Sequence, residues 1–493
     1  MDVYFERHDG SAVTCDDFRK AMADSSGKDL SQFERWYLQA GTPTVTATSS
    51  YDAATQTFSL TLAQTTPPTP GQPDKLPFVI PVEVGLLAAD GSLMYEAMLE
   101  LTEDSQTFTF PNTPTEPLPS LLRGFSAPVK LNTEITPAQL AFLAANDDDP
   151  FNRWDASQRL YSSAILNLAK AWQASGGDEA ALTLDSGVSD AFSATLTDQS
   201  LDPSLRAYSL TMPDFSTLAQ EMEVIDADAL IGAIKFVRKS LAGTHEAALL
   251  DVYKSLATDK PYAVDEEQVG ARRLRNACLG YLAKLQTDET TALCLEQFRS
   301  AASMTDSIAA LQVCHLPTPP YTSPHLPRSP SLTDSIAALQ ALSTTPGAAR
   351  DESLGDFYSR AKANNEVLVI NKWLSVQAMA DTPTALDDVR SLMAHEAYDG
   401  TNPNTIRSVL NTFAAANPAA FHRLDGSGYE FITDQIIDLD GRNPQVAARL
   451  AGVFNTWRRH TPERQALMQA QLERLKERVT SKDTLEIVTR SLA

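Results

Sequence analysis

Apolar and polar positions change their spacing twice along the chain. Over residues 1–40 the spacing is helical. Val3 to Arg7 reads as one helical turn, and His8-Asp9-Gly10 as a turn. Thr14 and Asp17 then stand at capping-box distance in front of Phe18, Ala21 and Met22, which predicts a second helix. Phe33, Trp36 and Tyr37 recur at i, i+3, i+4 and predict one buried helix face, with Gly41 as its stop and Pro43 just beyond. From Thr44 to about Lys130 the period is two. "TVTATSSY" alternates, "TFSLTLAQ" sets Phe58, Leu60 and Leu62 on one face, and "QTFTFPN" does the same for Phe108 and Phe110. "FVIPVEVGLL" runs into Asp90-Gly91, a hairpin turn signal, and "TTPPTPGQPDKLP" reads as a surface loop. Several short strands in so few residues predict a small antiparallel sandwich.

From about Thr136 to Ala493 the pattern is helical almost throughout. "WDASQRLYSSAILNLAKAW" lines up Trp154, Leu160, Ile165, Leu168 and Trp172. "ADALIGAIKFVRKSLA", "ARRLRNACLGYLAKL", "EVLVINKWLSVQAM" and "ERQALMQAQLERLKERV" are further amphipathic segments. Helices of about 12 to 18 residues joined by short polar loops predict an irregular helical solenoid, since no fixed period repeats. The expected fold class is therefore mainly α with a small all-β Ig-like sandwich, divided as 1–40, 41–132 and 133–493. One repeat interrupts the last region. "SMTDSIAALQ" at 303–312 returns as "SLTDSIAALQ" at 331–340, around a segment holding Pro317, Pro319, Pro320, Pro324, Pro327 and Pro330. No helix absorbs that many prolines. A recent duplication or retained non-coding sequence is one reading, and a PxxP ligand the other. Either way the insert at about 313–340 is expected to be a disordered surface excursion.

Charge and cysteines narrow the function classes. The formal net charge is −23 over 493 residues, which excludes a polyanion such as nucleic acid as partner. Four cysteines, Cys15, Cys278, Cys294 and Cys314, are irregularly spaced and without a CxxC pair, the pattern of a reducing compartment. No run approaches the ~18 apolar residues of a membrane span, and no signal peptide is visible, so a cytoplasmic location and no membrane partner are expected.

Self-contained catalytic chemistry is missing from the pattern. "HEAAL" at His245 and "HEAYD" at His395 lack the second His of a zinc helix. Gly-rich phosphate loops and the G-x-S-x-G elbow are absent. "DGSGY" from Asp425 is a turn into a helix, and Asp147-Asp148-Asp149 reads as a solvated loop, without the alternation of a calcium site. No catalytic and no metal residue is assigned.

Longer stretches carry a family resemblance. "YFERHDGSAVTCDDF", "FERWYLQAGTP", "FSAPVKL", "FNRWDASQRL", "RLRNACLGYLA", "MTDSIAAL", "NPNTIRSVLNTFAAANPAAFHRLDGSGYEF" and "RNPQVAARL", in this order, resemble the C-terminal portion of bacterial-type alanyl aminopeptidase (aminopeptidase N), a gluzincin zinc metallopeptidase. The resemblance covers nearly all of the chain outside the insert. It implies that residues 1–40 are the helical tail of a catalytic domain whose zinc helix, G-x-M-E-N loop and catalytic Tyr would precede Met1. It also implies a truncated start, zinc held by the full-length enzyme and not by this chain, peptide substrates reached through the missing domain, and no peptidase activity for this chain alone. An organellar location is open if a targeting segment is missing too. The helical domain of the family closes over the catalytic domain. On the matching motifs, Arg407 of "NPNTIRS" and Gln445 and Arg449 of "RNPQVAAR" fall on substrate-facing positions. A guanidinium fork suits peptide carbonyls or a terminal carboxylate, while arginines that cap or bridge helices are the plainer alternative. Asn443 and Pro444 read as N-cap and first helical residue, which sets Gln445 and Arg449 four apart on a shared face. The competing reading of the whole chain is a stand-alone scaffold that binds peptides or proteins without cleaving them. Retention of Phe5, Phe18, Phe33 and Trp36, apolar residues in need of a partner surface, favours the enzyme-derived reading.

Overall fold

The computed structural model describes residues 1–258, 260, 262–300 and 348–493. Both copies of the repeat and the Pro-rich segment between them lie outside the described residues. Contacts divide the chain into two units, Met1–Leu160 and Tyr161–Ala493.

The first unit is built on seven strands: β1 (Thr44–Asp52), β2 (Thr57–Thr65), β3 (Ile80–Leu87), β4 (Leu93–Leu101), β5 (Ser105–Phe110), β6 (Leu118–Leu121) and β7 (Lys130–Thr133). They form two sheets in the orders β5-β2-β1-β7 and β4-β3-β6. Alternation along β2 buries Phe58, Leu60 and Leu62, and along β3 it buries Ile80, Val82, Val84 and Leu86. These two sets share the sandwich core with Val45, Leu101 and Phe110. Each such side chain contributes about 1.5–3 kcal/mol by leaving water. Asp90 and Gly91 make the β3–β4 turn, with Gly91 at φ +85°. The sandwich is not antiparallel throughout, as the alternation alone suggested. β7 pairs parallel to β1, Val45 opposite Leu131. It follows β6 through a helical turn at Arg123–Phe125, and a strand delivered by such a crossover has no hairpin to force it antiparallel.

Three helices precede the sandwich: α1 (Asp2–His8), α2 (Cys15–Ser26) and α3 (Arg35–Leu38). The Thr14–Asp17 capping box forms in both directions, and Gly27 at φ +67° ends α2. The predicted face of Phe33, Trp36 and Tyr37 does not form as such. α3 is only four residues long, so it cannot bury a stripe, and Tyr37 is 53% exposed. Trp36 alone turns inward. Its ring lies 4.4 Å from Phe78, and its indole Nε1 donates to the Val79 carbonyl at 2.8 Å. Gln32 donates to the Thr102 carbonyl at 2.7 Å. Side chains, not helix periodicity, fasten the N-terminal segment to the sandwich.

After the sandwich come α4 (Pro137–Asn146) and α5 (Pro150–Ser175), and the boundary between the units falls within α5. The loop joining them is not solvated as expected. Asp147 is fully buried, 3.4 Å from Arg123 Nη2, and Arg123 also pairs with Asp148 and with Glu96 at 2.5 Å. Burial raises the Asp147 pKa above the ordinary carboxylate value, and a hydrogen bond from Ser120 works against it.

The second unit is helical. Its N-termini repeat one device: Asp185, Asp202, Asp214, Asp226, Asp265, Asn402, Asn443 and Ser481 each accept an amide of the first turn on a side-chain oxygen. Phe192, Leu230, Val237 and Tyr281 are buried towards the start of the unit, and Phe413, Phe421, Tyr429 and Phe454 towards its end. Cys278 and Cys294 are buried, and Cys15 is exposed. Among the described residues, no helix is long and apolar enough to cross a membrane.

Candidate functional site

The helix Pro444–Ala451 begins as its sequence requires. Asn443 accepts the Val446 amide at 3.3 Å and Pro444 occupies the first turn, where no amide is needed. Val446, Ala447 and Leu450 face the core, which leaves Gln445 and Arg449 on the opposite, exposed side, one turn apart. Neither side chain has a hydrogen-bond or ion-pair partner among the described residues, so an amide and a guanidinium are presented together to solvent. This surface can accept and donate to a peptide backbone, and the Arg fork suits a carboxylate.

Arg407 is placed differently. It opens a π-turn, Arg407–Asn411, behind the short helix Pro403–Ile406. Its guanidinium folds back, donating from Nε to the Pro403 carbonyl at 3.1 Å and from Nη2 to Asn404 Oδ1 at 2.7 Å. The side chain is exposed, yet much of its donor fork is taken by its own helix. No hydrogen bond or ion pair joins it to Gln445 or Arg449 among the described residues. Among the described residues, a hydrogen bond from Arg442 to the Gly400 carbonyl at 3.1 Å ties the two regions. The structure thus groups Gln445 with Arg449 and leaves Arg407 apart.

Two features of this end of the chain escaped the sequence reading. The first is the π-turn itself. It leaves Asn411 Oδ1 buried without a partner, while Thr412 Oγ1 donates to the Arg407 carbonyl at 3.3 Å. Such turns concentrate at functional positions, but an i→i+5 bond leaves no periodic mark in the sequence. The second is a buried polar cluster. His422 Nδ1 and the Tyr429 hydroxyl are 2.9 Å apart, and the His422 and His460 rings lie 4.7 Å apart, centroid to centroid. Arg464, 2% exposed, donates from Nε to the His422 carbonyl at 2.9 Å and from Nη2 to Asp228 at 2.8 Å. Burial, with Arg464 nearby, pushes His460 down to about 4 and His422 well below the ordinary histidine range.

None of these groups fits a zinc ion. Among the described residues no three His, Cys, Asp or Glu side chains come together. The two histidines that do approach each other have rings tilted by 32° and share their surroundings with a guanidinium. Cys278 is pushed up to about 12 by burial, the opposite of a metal-ready thiolate.

An Ig-like sandwich followed by a long run of packed helices defines a two-part architecture, and two family models match it in that order, parting between residues 134 and 137, ahead of the unit boundary within α5. Residues 41–134 match a family model described as a domain of unknown function (DUF3458) with an Ig-like fold. Residues 137–326 and 320–493 match the model described as a domain of unknown function (DUF3458_C) with ARM repeats. The chain belongs to this DUF3458_C family of ARM-repeat domains. It is 38% identical over 503 aligned residues to Aminopeptidase N of Escherichia coli (strain K12), covering 100% of this chain and 54% of that protein. It is 37% identical to Aminopeptidase N of Caulobacter vibrioides and 34% identical to that of Haemophilus influenzae, covering 53% of each. The crystal structure of Legionella pneumophila aminopeptidase A in complex with aspartic acid superposes with a TM-score of 0.79 at 28% identity, over 99% of this chain and 53% of that one. The chain spans about half the length of the curated relatives it matches. The resemblance to the C-terminal portion of aminopeptidase N, and the expected fold class, are borne out.

Proposed function

We propose that this chain is the spacer and lid of a zinc-dependent aminopeptidase that releases N-terminal residues from peptides, and that it is inactive alone. The observation carrying the reading is the end-to-end match to aminopeptidase N sequences about twice its length. In this reading the helical region lines the cavity in which peptides are held. Gln445 and Arg449 are its substrate-facing pair, and Arg407 a subsidiary contact released from its own helix turn. Zinc, the general base and the amine-binding acids belong to the catalytic domain. The recognition role needs side chains free to meet a ligand, and the exposed pair on helix Pro444–Ala451 meets that requirement.

Two measurements test this. The purified 493-residue chain, given Zn²⁺ and an unblocked alanyl reporter, is expected to show no chelator-sensitive turnover; robust turnover would overturn the proposal. In the chain extended by its catalytic domain, Gln445→Ala with Arg449→Ala is expected to raise KM for peptides about tenfold, the loss of one charge-assisted contact. An unchanged KM removes the substrate-facing role and leaves a scaffold.

A further inference from the structure

The first unit contains a cavity of about 210 Å³ that the preceding reading does not use. Its wall is mixed: Leu60 from β2, Leu118 and Leu121 from β6, Leu131 from β7, and Leu140 and Leu143 from α4 form one apolar side, with Thr48, Ser49 and Glu134 among the polar groups beside it. α5 closes it with Ala156 and with two charged residues one turn apart, Asp155 and Arg159. Most polar groups around it are already engaged. Asn152 donates to Ser120 Oγ at 2.6 Å and to the Leu121 carbonyl at 2.9 Å, and Gln139 caps α4 through Thr136.

The Asp155 carboxylate accepts no hydrogen bond from any described residue, and neither does that of Glu134 on the same wall. Arg159 Nη1 stands 3.9 Å from Asp155 Oδ2, too far for a hydrogen bond. The guanidinium is steadied from the other side, donating from Nη2 to Thr133 Oγ1 at 3.0 Å. The surrounding chain takes the Asp155 carboxylate partly out of water and raises its pKa, with Arg159 opposing the shift. The Asp155 side chain keeps 42% of its surface open to water, so a cation can reach a carboxylate that no donor of the described residues occupies.

We propose that this cavity binds a free apolar α-amino acid of about leucine size, its ammonium on Asp155, its carboxylate on Arg159 and its side chain among the leucines. A zwitterion suits an acid and a base held side by side, because its two charges are carried on one carbon and each meets a group of opposite sign alongside the pair. An ammonium and a guanidinium fork both make their strongest hydrogen bonds to charged partners. Volume sets the size. The cavity exceeds the roughly 150 Å³ that admits benzene and falls short of the roughly 300–1,000 Å³ typical of larger ligands.

Isothermal titration of the full chain tests this, with L-leucine, 3-methylbutan-1-amine, 4-methylpentanoate and glycine as probes. Leucine is expected to bind saturably with one site, and each analogue at least about tenfold more weakly, since each lacks one of the three contacts. Asp155→Asn should weaken leucine about tenfold and leave 4-methylpentanoate unchanged, and Arg159→Gln should weaken leucine and leave the amine unchanged. Ala156→Leu, which fills the cavity, should abolish leucine binding, with circular dichroism reporting that the fold persists. The absence of saturable leucine binding overturns the proposal, as does an amine or acid analogue that binds as tightly as leucine. Leucine binding that survives Ala156→Leu overturns its location.

Discussion

Gly428 shows how narrowly a single residue is specified. It opens the helix Ser427–Asp440, and a Cβ built there would sit 2.4 Å from the Phe421 carbonyl oxygen and 2.8 Å from that of Ala420. Both neighbours are backbone and cannot swing away. Gly428→Ala is expected to cost about 3 kcal/mol, at the upper end for overpacking, read as a lower urea midpoint with an unchanged slope. The buried histidines make a second prediction at this scale. His460 falls from 6.5 when free to about 4 when folded. A histidine depressed by folding stays neutral while the unfolded chain gains a proton, so its contribution is intact above 6.5. It is lost as pH falls from there to about 4. The change is roughly 3 kcal/mol at about 1.4 per pH unit. Urea midpoints measured between pH 7.5 and 4 should therefore fall, and His460→Gln should flatten that fall. A slope indifferent to the substitution would mean that other groups carry it.

Elements were legible wherever a local signal wrote them. Thr14 with Asp17, and Asn443 with Pro444, mark helix starts that the structure keeps. The alternation at Phe58, Leu60 and Leu62 marks a strand face that it buries. What failed was nonlocal. Nothing in "FERWYLQAGTP" says that Trp36 packs on Phe78 while Tyr37 stays in water. That choice is made by Phe78 and Val79, more than 40 residues further along the chain. Asp147 looks like loop acid until Arg123 is brought against it. The candidate site divides the same way. The shared face of Gln445 and Arg449 follows from helix geometry, whereas the folding back of the exposed Arg407 onto Pro403 and Asn404 is a side-chain choice that no apolar period encodes. The cavity draws on four strands and two helices, and its Asp155–Arg159 spacing is set by side-chain geometry alone. Between elements, Asp440 offers a measurable joint. Burial raises its pKa, but the Ser481 hydroxyl and the Thr480 and Ser481 amides hold it down to about 2. Asp440→Ala leaves those donors, at the start of the last helix, without an acceptor. A loss of about 2 kcal/mol is expected in thermal or urea melts. Because the folded value is depressed, this contribution is present above 3.8 and lost only as pH falls through about 2.

At the scale of the whole molecule these titrations meet the net charge. The chain carries −23 at neutral pH and has an isoelectric point near 4.7. Acidification from pH 7 therefore does two things over one interval. It removes the like-charge repulsion that keeps molecules apart, and it withdraws the stability held by the buried His422 and His460. The carboxylate joint at Asp440 does not contribute there, because it titrates lower. Aggregation is expected to set in between about pH 6 and 4.7, preceded by loss of structure in the helical second unit. Light scattering and circular dichroism followed on the same titration separate the two causes. His460→Gln should move the structural loss to lower pH while the scattering maximum stays at the isoelectric point. If the scattering onset moves with the structural loss, unfolding drives the aggregation and charge neutralisation does not. If neither moves, the histidine pair is without weight in the acid response, and the depressed values assigned to it do not govern the stability of this chain.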